Sequence, residues 1–383
     1  MTLLSAILPD HAEPLSWGEV LDDIKARRGE FDAARSIAPD IIEKFRQLGV
    51  YRALVSKRFG GEARSPADFC RMVEAISAAD GSAGWVASFG AAATYLACLP
   101  LETLETIYAD GPDVVFAGGL FPPQPAQRVD GGLRITGRWR FASGCRGAGL
   151  IGVGIKVEGD ETGGLPRMAV MPADQVEIEE NWDVIGLRGT GSHDLVVDGV
   201  VAPEAWTFVR GGRPSLDEPL SRYPAMALAA QVLAVVGLGV ARGALEELLT
   251  LSSKVSIVGG AAMTARPSVQ IEVARIESQL SSARAWFYET TETVWRAAVE
   301  GRIPETRDVA QLRLAAIHAA RTAADCTQAV FRLCGTTGIF VSHPLSRHLQ
   351  DALVVAQHAF LSEGHQQEAG RLLAGGAPAP GFP

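Results

Sequence analysis

Apolar positions change their period twice along this chain. From Trp17 to about Pro112 they recur every three to four residues, as in Trp17, Val20, Leu21 and Ile24, then Ile41, Ile42, Phe45 and Leu48. That spacing places them on one face of an α-helix. Ser65-Pro66-Ala67-Asp68 reads as a helix start, with Ser65 as N-cap, Pro66 at the first helical position and Asp68 matched to the positive end of the dipole. Gly81-Ser82-Ala83-Gly84 interrupts the pattern, and Trp85 to Leu99 resumes it. From Asp113 the period falls to two. Val114 to Ala117, Leu133 to Phe141, Gly149 to Val157, Met168 to Met171, Val176 to Ile178 and Leu195 to Val197 read as short strands. Turn signals separate them, at Asp130-Gly131-Gly132, Glu158-Gly159-Asp160, Gly163-Gly164 and Asp198-Gly199. After the Gly211-Gly212-Arg213-Pro214 loop the helical period returns over about 223–251, 267–300, 305–335 and 345–373.

The pattern therefore predicts an α+β chain of three parts. These are an N-terminal helical domain (1–112), a central antiparallel β-barrel or sandwich (113–212), and a C-terminal four-helix bundle (213–383). The Gly/Pro-rich tail from Ala374 is expected to be mobile. One run has membrane-like character: Pro224 to Ala241 is interrupted only by Gln231. It continues into Arg242, Glu246 and Glu247 at helical spacing and lacks flanking charge asymmetry, which favours a buried core helix over a span.

Composition narrows the classes further. A chain of 383 residues with 47% hydrophobic and 21% charged residues has the make-up of a soluble globular protein. A net charge of −9 without a basic stripe argues against nucleic acid as a partner. The five cysteines, Cys70, Cys98, Cys145, Cys326 and Cys334, are odd in number and lack metal-ligand spacing. Together with a Met1-Thr2-Leu3-Leu4 start that is no signal peptide, they read as reduced thiols of a cytoplasmic protein with no metal site.

The chemistry concentrates in Thr136 to Cys145. Trp139, Phe141 and Ser143 share one parity, so on an extended strand they leave the same face. Two flat apolar rings and one hydroxyl suit a planar heteroaromatic ligand, and Gly144 would let the backbone approach it closely. An amphipathic strand with its core face inward explains the same residues without a ligand.

The order of helices, strands and helices around Trp139-x-Phe141-x-Ser143-Gly144 resembles the acyl-CoA dehydrogenase superfamily. Gly186-Leu187-Arg188-Gly189-Thr190-Gly191-Ser192, followed by Asp198-Gly199-Val200-Val201-Ala202-Pro203, looks like its second β-domain signature. Cys334-Gly335-Thr336-Thr337-Gly338, then Leu345-Ser346-Arg347 and Asp351, looks like its carboxy-terminal glycine turn and Arg/Asp helix. In detail the chain is more similar to the oxygenase component of two-component flavin monooxygenases, the group D aromatic hydroxylases. Asp80-Gly81-Ser82-Ala83-Gly84-Trp85, Trp139 to Cys145, Thr190-Gly191-Ser192, and Asp351 with His358 seven residues on carry that similarity. On a helix, seven residues is two turns, so Asp351 and His358 would project from one face.

The resemblance implies a fold, a cofactor and a reaction. A separate NAD(P)H-dependent flavin reductase supplies reduced flavin, FADH2 or reduced FMN. O2 converts it to a C4a-hydroperoxide, whose terminal oxygen is transferred to a small aromatic. The resemblance implies that Ser143 bonds flavin N5 and that Trp139 and Phe141 wall the ring. Gly144, Thr190, Ser192, Gly335, Thr336 and Gly338 would complete the cofactor site, the last three reaching a neighbour in a homotetramer. His358 would stand on the substrate side with Trp85 and Phe89, as base or peroxide-positioning donor, with Asp351 and Arg347 nearby. Arg347 and Asp351 are equally an ordinary intrahelical ion pair. His193, beside Thr190-Gly191-Ser192, is a further candidate to face the cofactor.

Two features set this chain apart. Phenol hydroxylases of the group often carry a His about two turns after Gly-Trp, where this chain has Ala91-Ala92-Ala93-Thr94-Tyr95. The expected substrate is accordingly a neutral small aromatic of the indole type. Glu363-Gly364 echoes the catalytic Glu of the dehydrogenases, so an acyl-CoA dehydrogenase with Glu363 as base is the competing reading. A helical scaffold without activity would leave Trp139 to Cys145 and Thr190 to Ser192 without a purpose.

Overall fold

The computed structural model describes residues 15–160, 162, 165–252 and 262–377. His11, the Gly163-Gly164 turn and the tail beyond residue 377 lie outside the described residues.

The first helices are α1 (Trp17–Ala34), α2 (Pro39–Gln47), α3 (Pro66–Ala79), α4 (Gly81–Ser88), α5 (Ala92–Leu96) and α6 (Leu101–Ile107). α1 starts with a capping box of Ser16 and Glu19. α3 starts as expected, with the Ser65 hydroxyl accepting the Asp68 N–H at 3.1 Å and Pro66 in the first turn. The expected interruption at Gly81 to Gly84 is instead the first turn of α4, capped by Asp80, whose carboxylate accepts the Ala83 N–H at 2.8 Å. Those glycines serve close packing. A Cβ on Gly84 would lie 1.9 Å from Ser77 Oγ, and one on Gly81 would lie 2.6 Å from Asp351 Oδ2.

The strands are β1 (Phe116–Val129), β2 (Gly132–Ala142), β3 (Leu150–Val157), β4 (Arg167–Pro172), β5 (Glu177–Glu179), β6 (His193–Ala202) and β7 (Thr207–Val209). They form one sheet in the order β5-β6-β2-β1-β3-β4-β7. The expectation of an antiparallel barrel or sandwich is corrected here, because β1 pairs parallel with β3 and the sheet is mixed. β1 runs well past the expected Ala117, through Pro122, Pro123 and Pro125. A proline lacks the ladder N–H, and the register between β1 and β3 shifts between Gly119 and Gln124, where that donor is not needed. β7 carried no strand signal of its own; it is three residues long and pairs with β4.

Beyond α7 (Pro219–Arg222) come α8 (Ala225–Ser252), α9 (Pro267–Val299), α10 (Thr306–Cys334), α11 (Pro344–Ala356) and α12 (Glu363–Leu373). The last expected helix is thus two, divided at Gln357. α8 is long and apolar enough to cross a membrane, yet 83% of its most apolar window is buried against the rest of the fold. It packs on α3, α10 and α11. The crossing with α3 depends on two glycines one turn apart. A Cβ on Gly239 would lie 2.4 Å from Glu74 O, and one on Gly243 would lie 2.4 Å from Ala78 O. The Cβ on Gly243 would also lie 3.0 Å from His348 of α11, so α3 and α11 both pack closely on this part of α8, and α4 meets the Asp351 carboxylate of α11 at Gly81.

Candidate active site

Four stretches converge: the start of α4, the end of β2, the loop 186–192 and α11. β2 delivers its side chains differently from a regular strand. Phe141 adopts a left-handed backbone (φ 66°), and the pairing of β2 with β6 shifts register between Trp139 and Ala142. The expected common face of Trp139, Phe141 and Ser143 is therefore not formed. Trp139 is fully buried in the core of the sheet, where its Nε1–H donates to Gly154 O at 2.8 Å. It walls no ligand, which corrects that expectation. Phe141 turns outward and is 60% exposed, its ring edge-on to Trp182 at 6.1 Å and below the Arg140 guanidinium at 5.3 Å. Ser143 turns inward to α4. Gly144 (φ 73°) takes the left-handed conformation that follows and donates its N–H to Thr190 O at 2.8 Å, tying the strand end to the loop.

Around Ser143 the hydroxyls form a directed chain. Thr190 Oγ1 donates to Leu187 O at 2.8 Å. Its proton being committed there, the 2.7 Å contact with Ser192 requires Ser192 to donate. By the same count Ser143 donates to Ser192 at 2.7 Å. Trp85 Nε1–H donates into Ser143 Oγ at 3.0 Å and starts the chain. Every hydroxyl is buried, and every proton points away from Ser143 toward the Leu187 carbonyl. Ser143 keeps one acceptor lone pair and no proton to give.

Beneath this neutral layer lies a charged one. Leu187 (φ 52°) donates its N–H to Asp351 Oδ1 at 2.6 Å, and the Gly189 N–H goes to Ser82 Oγ at 3.1 Å. Arg347 does not pair with Asp351 along α11. Its Nε lies 2.9 Å from Asp80 Oδ2, and its Nη1 lies 2.7 Å from Asp32 Oδ2. Burial raises the Asp351 carboxyl well above the ordinary carboxylate range; Arg347 opposes that shift, while Asp80 adds to it. The Asp351 carboxylate bonds to Leu187 and not to Ser143. It holds the loop that ends the hydroxyl chain, so it is a positioning residue.

His358 is not on α11, which ends at Ala356, so the expected shared helical face with Asp351 is corrected. His358 instead caps the turn 359–361, its Nδ1 accepting the Phe360 N–H at 3.2 Å. Burial, then the charge of Arg210, pushes its pKa down to about 4. The ring is thus neutral near pH 7, with its proton on Nε2, so it offers a donor and not a base. It lies 5.7 Å from the Trp85 ring. Phe89 follows as the half-buried end of α4. His193 is buried in the sheet, its Nδ1 accepting the Trp182 N–H at 3.2 Å and its Nε2 buried without a hydrogen-bond partner among the described residues. Gly335 and Thr336 lie on an exposed turn at the end of α10, and Gly338 is buried against Phe331 and Cys334; the single chain does not bring them to Ser143. Glu363 is the exposed first residue of α12, without the buried setting a carbon-acid base requires. A surface cleft of about 270 Å³ beside Lys57, Pro219 and Trp295 is separate from all of these residues.

Comparison with known proteins places the chain in a family. Residues 231–363 match the family described as acyl-CoA dehydrogenase, C-terminal domain. The chain is 53% identical to an indole-3-acetate monooxygenase of Pseudomonas putida, over 95% of this chain and 94% of that one. It belongs to the family of flavin-dependent monooxygenases. A more distant member, the FADH(2)-dependent resorcinol hydroxylase oxygenase component of a Rhizobium species, is 29% identical over 88% of each chain. Among solved structures, 3-HSA hydroxylase from Rhodococcus superposes with a TM-score of 0.88 at 23% identity, covering 94% of this chain and 96% of that one. The protein is the oxygenase component of a two-component flavin-dependent monooxygenase, and its cofactor is reduced flavin. The dehydrogenase reading is set aside with Glu363.

Reduced flavin fits the hydroxyl chain. Its N5 bears a hydrogen and needs an acceptor, which Ser143 has; oxidised N5 needs a donor, which Ser143 has already spent on Ser192. Sequence reasoning found Ser143, Thr190, Ser192 and Trp85, and missed Ser82, Trp182 and Arg210. Ser82 stood inside a motif already noted, and Arg210 adjoins the Gly211-Gly212 loop. Trp182 had no local signal.

Proposed function

We propose that the substrate is an indole bearing a short acid side chain, of the indole-3-acetate type, oxidised at the ring with O2. The directed chain from Trp85 through Ser143, Ser192 and Thr190 to Leu187 carries this reading, joined to the identity with an indole-3-acetate monooxygenase. Bound flavin supplies activation of O2. The protein's part is to accept N5–H at Ser143, to line one side of the flavin ring with Phe141 and Trp182, and to exclude water. It also sets the neutral His358 Nε2–H and the Trp85 ring beside the substrate, with Phe89 as pocket wall. Gly144 and the loop of Thr190 and Ser192 keep the backbone close to the cofactor.

FAD is the favoured flavin, with FMN the alternative, and a separate NAD(P)H:flavin reductase delivers it. In this reading the chain has three parts, and the four long helical segments form a bundle at the centre of a homotetramer. There Gly335, Thr336 and Gly338 would reach a neighbour's flavin. The exposed Ile339, Phe340 and Val341 beside that turn favour such a contact.

The test supplies the purified protein with NADH, a flavin reductase, FAD, isotopically labelled O2 and indole-3-acetate. The expected product carries one labelled oxygen atom. Absence of any labelled product, with oxidation of an acyl-CoA in its place, would contradict the reading.

A further inference from the structure

Arg210 follows β7 and enters a gap between segments distant in the chain. Its N–H is fixed to Pro166 O at 2.9 Å. Its guanidinium lies over the Tyr95 ring at 4.4 Å and over the Phe360 ring at 5.3 Å. Stacking of this kind fixes the plane of the guanidinium and leaves its N–H edge as the reactive face. That edge is unspent: Nε is buried without a hydrogen-bond partner, and among the described residues no carboxylate pairs with it. The residue is half-buried, so a carboxylate can reach the guanidinium edge and serve as its counter-ion.

Its location says which ligand. Phe360 also contacts the His358 ring at 5.1 Å, and His358 contacts Trp85, which donates to Ser143. Arg210 therefore stands within about 10 Å of His358, with Phe360 in contact with both. An indole with a short acid side chain spans a distance of that order.

We propose that Arg210 is the specificity-determining anchor for the substrate's carboxylate, holding an anionic 3-substituent while the indole ring lies against the Trp85 and His358 pair. The inference rests on the indole-acid reading and sharpens it, because it replaces the expectation of a neutral substrate by that of an anion. A planar guanidinium matches a carboxylate through two parallel N–H bonds, which fixes orientation as well as affinity.

The test compares indole-3-acetate with 3-methylindole, which has similar shape and no charge, in the reductase-coupled assay. The unaltered protein should favour the acid in kcat/KM. In Arg210→Gln the acid-to-neutral ratio should fall about tenfold to a hundredfold, the loss expected of a charged hydrogen-bonded contact. The ratio is meaningful because a general loss of packing would lower both substrates together. An unaltered protein that oxidises both substrates without preference overturns the anchor and leaves the indole monooxygenase standing, whether or not the variant folds. A folded Arg210→Gln that keeps the parent ratio overturns the anchor in the same way. An unaltered protein that oxidises neither substrate overturns the functional reading itself, and the anchor with it.

Discussion

Trp139 and Ser143 lie four residues apart at the end of one strand, and both are nearly fully buried, yet they belong to different kinds of interior. Trp139 sits among Leu133, Ile135, Ile151, Val153 and Leu195, where apolar area and packing set its place. Ser143 sits where every contact is a directed hydrogen bond, above the ionic layer of Asp32, Asp80 and Arg347. The left-handed residue Phe141 divides the two. The comparison teaches that one backbone irregularity converts a core strand into the rim of a site. The core side supplies rigidity, and the rim side supplies a lone pair in a fixed position.

The contrast breaks most severely at its two anchors. Trp139→Ala should empty a large volume in the sheet core and cost about 3–5 kcal/mol of stability, read by denaturant unfolding. A cost below about 1 kcal/mol would mean that the sheet core does not depend on this ring. Arg347→Met should cost about 3–5 kcal/mol as well, for the opposite reason, since it leaves Asp80 and Asp32 facing each other without their cation. Combining it with Asp80→Asn should recover part of that loss. Strict additivity of the two changes would count against the ionic layer acting as a unit.

The pH dependence sharpens the comparison at smaller scale. His358 has its folded-state pKa depressed to about 4. Between about 6.5 and that value the unfolded chain binds the proton and the folded chain does not, so stability is full above about pH 6.5 and falls as pH drops toward 4. His358→Gln should flatten the curve in that window by on the order of 1–3 kcal/mol relative to the parent. An unchanged slope would show that His358 is not held neutral by burial. Smallest of all, Phe141→Ala should alter stability by less than about 0.5 kcal/mol, as expected at an exposed site, while weakening reduced-flavin binding measured anaerobically. Equal affinity in parent and variant would remove Phe141 from the cofactor wall.

How far the site could be read from sequence follows from the range of the interactions that build it. The helix start at Ser65, the strand periods and the buried character of α8 depend on neighbours within a few residues, and composition reveals them. Ser143, Thr190 and Ser192 stood in recognisable motifs, although their common hydroxyl chain depends on loop 186–192 folding over β2. Parity failed at Phe141 because alternation assumes a regular backbone, and a left-handed residue there has no compositional mark. The pairing of Asp351 with His358 failed because α11 ends between them, at Ala356. Arg210 was invisible because its value lies in two rings distant in sequence, Tyr95 and Phe360, and in the absence of an acid among the described residues near it. The mixed sheet escaped because a parallel β1–β3 pair depends on tertiary arrangement and leaves no periodic signature.

The most direct test of the account is the ratio of hydrogen peroxide released to indole product formed, in the reductase-coupled assay, for the parent and Ser143→Ala. The account places the acceptor for flavin N5–H at Ser143 and predicts that its loss diverts turnover to peroxide, raising the ratio at least about tenfold, at a stability cost of about 1–3 kcal/mol for the Trp85 N–H left unpaired. A folded Ser143→Ala that forms product as tightly coupled as the parent would contradict the assignment of the cofactor to this hydroxyl chain.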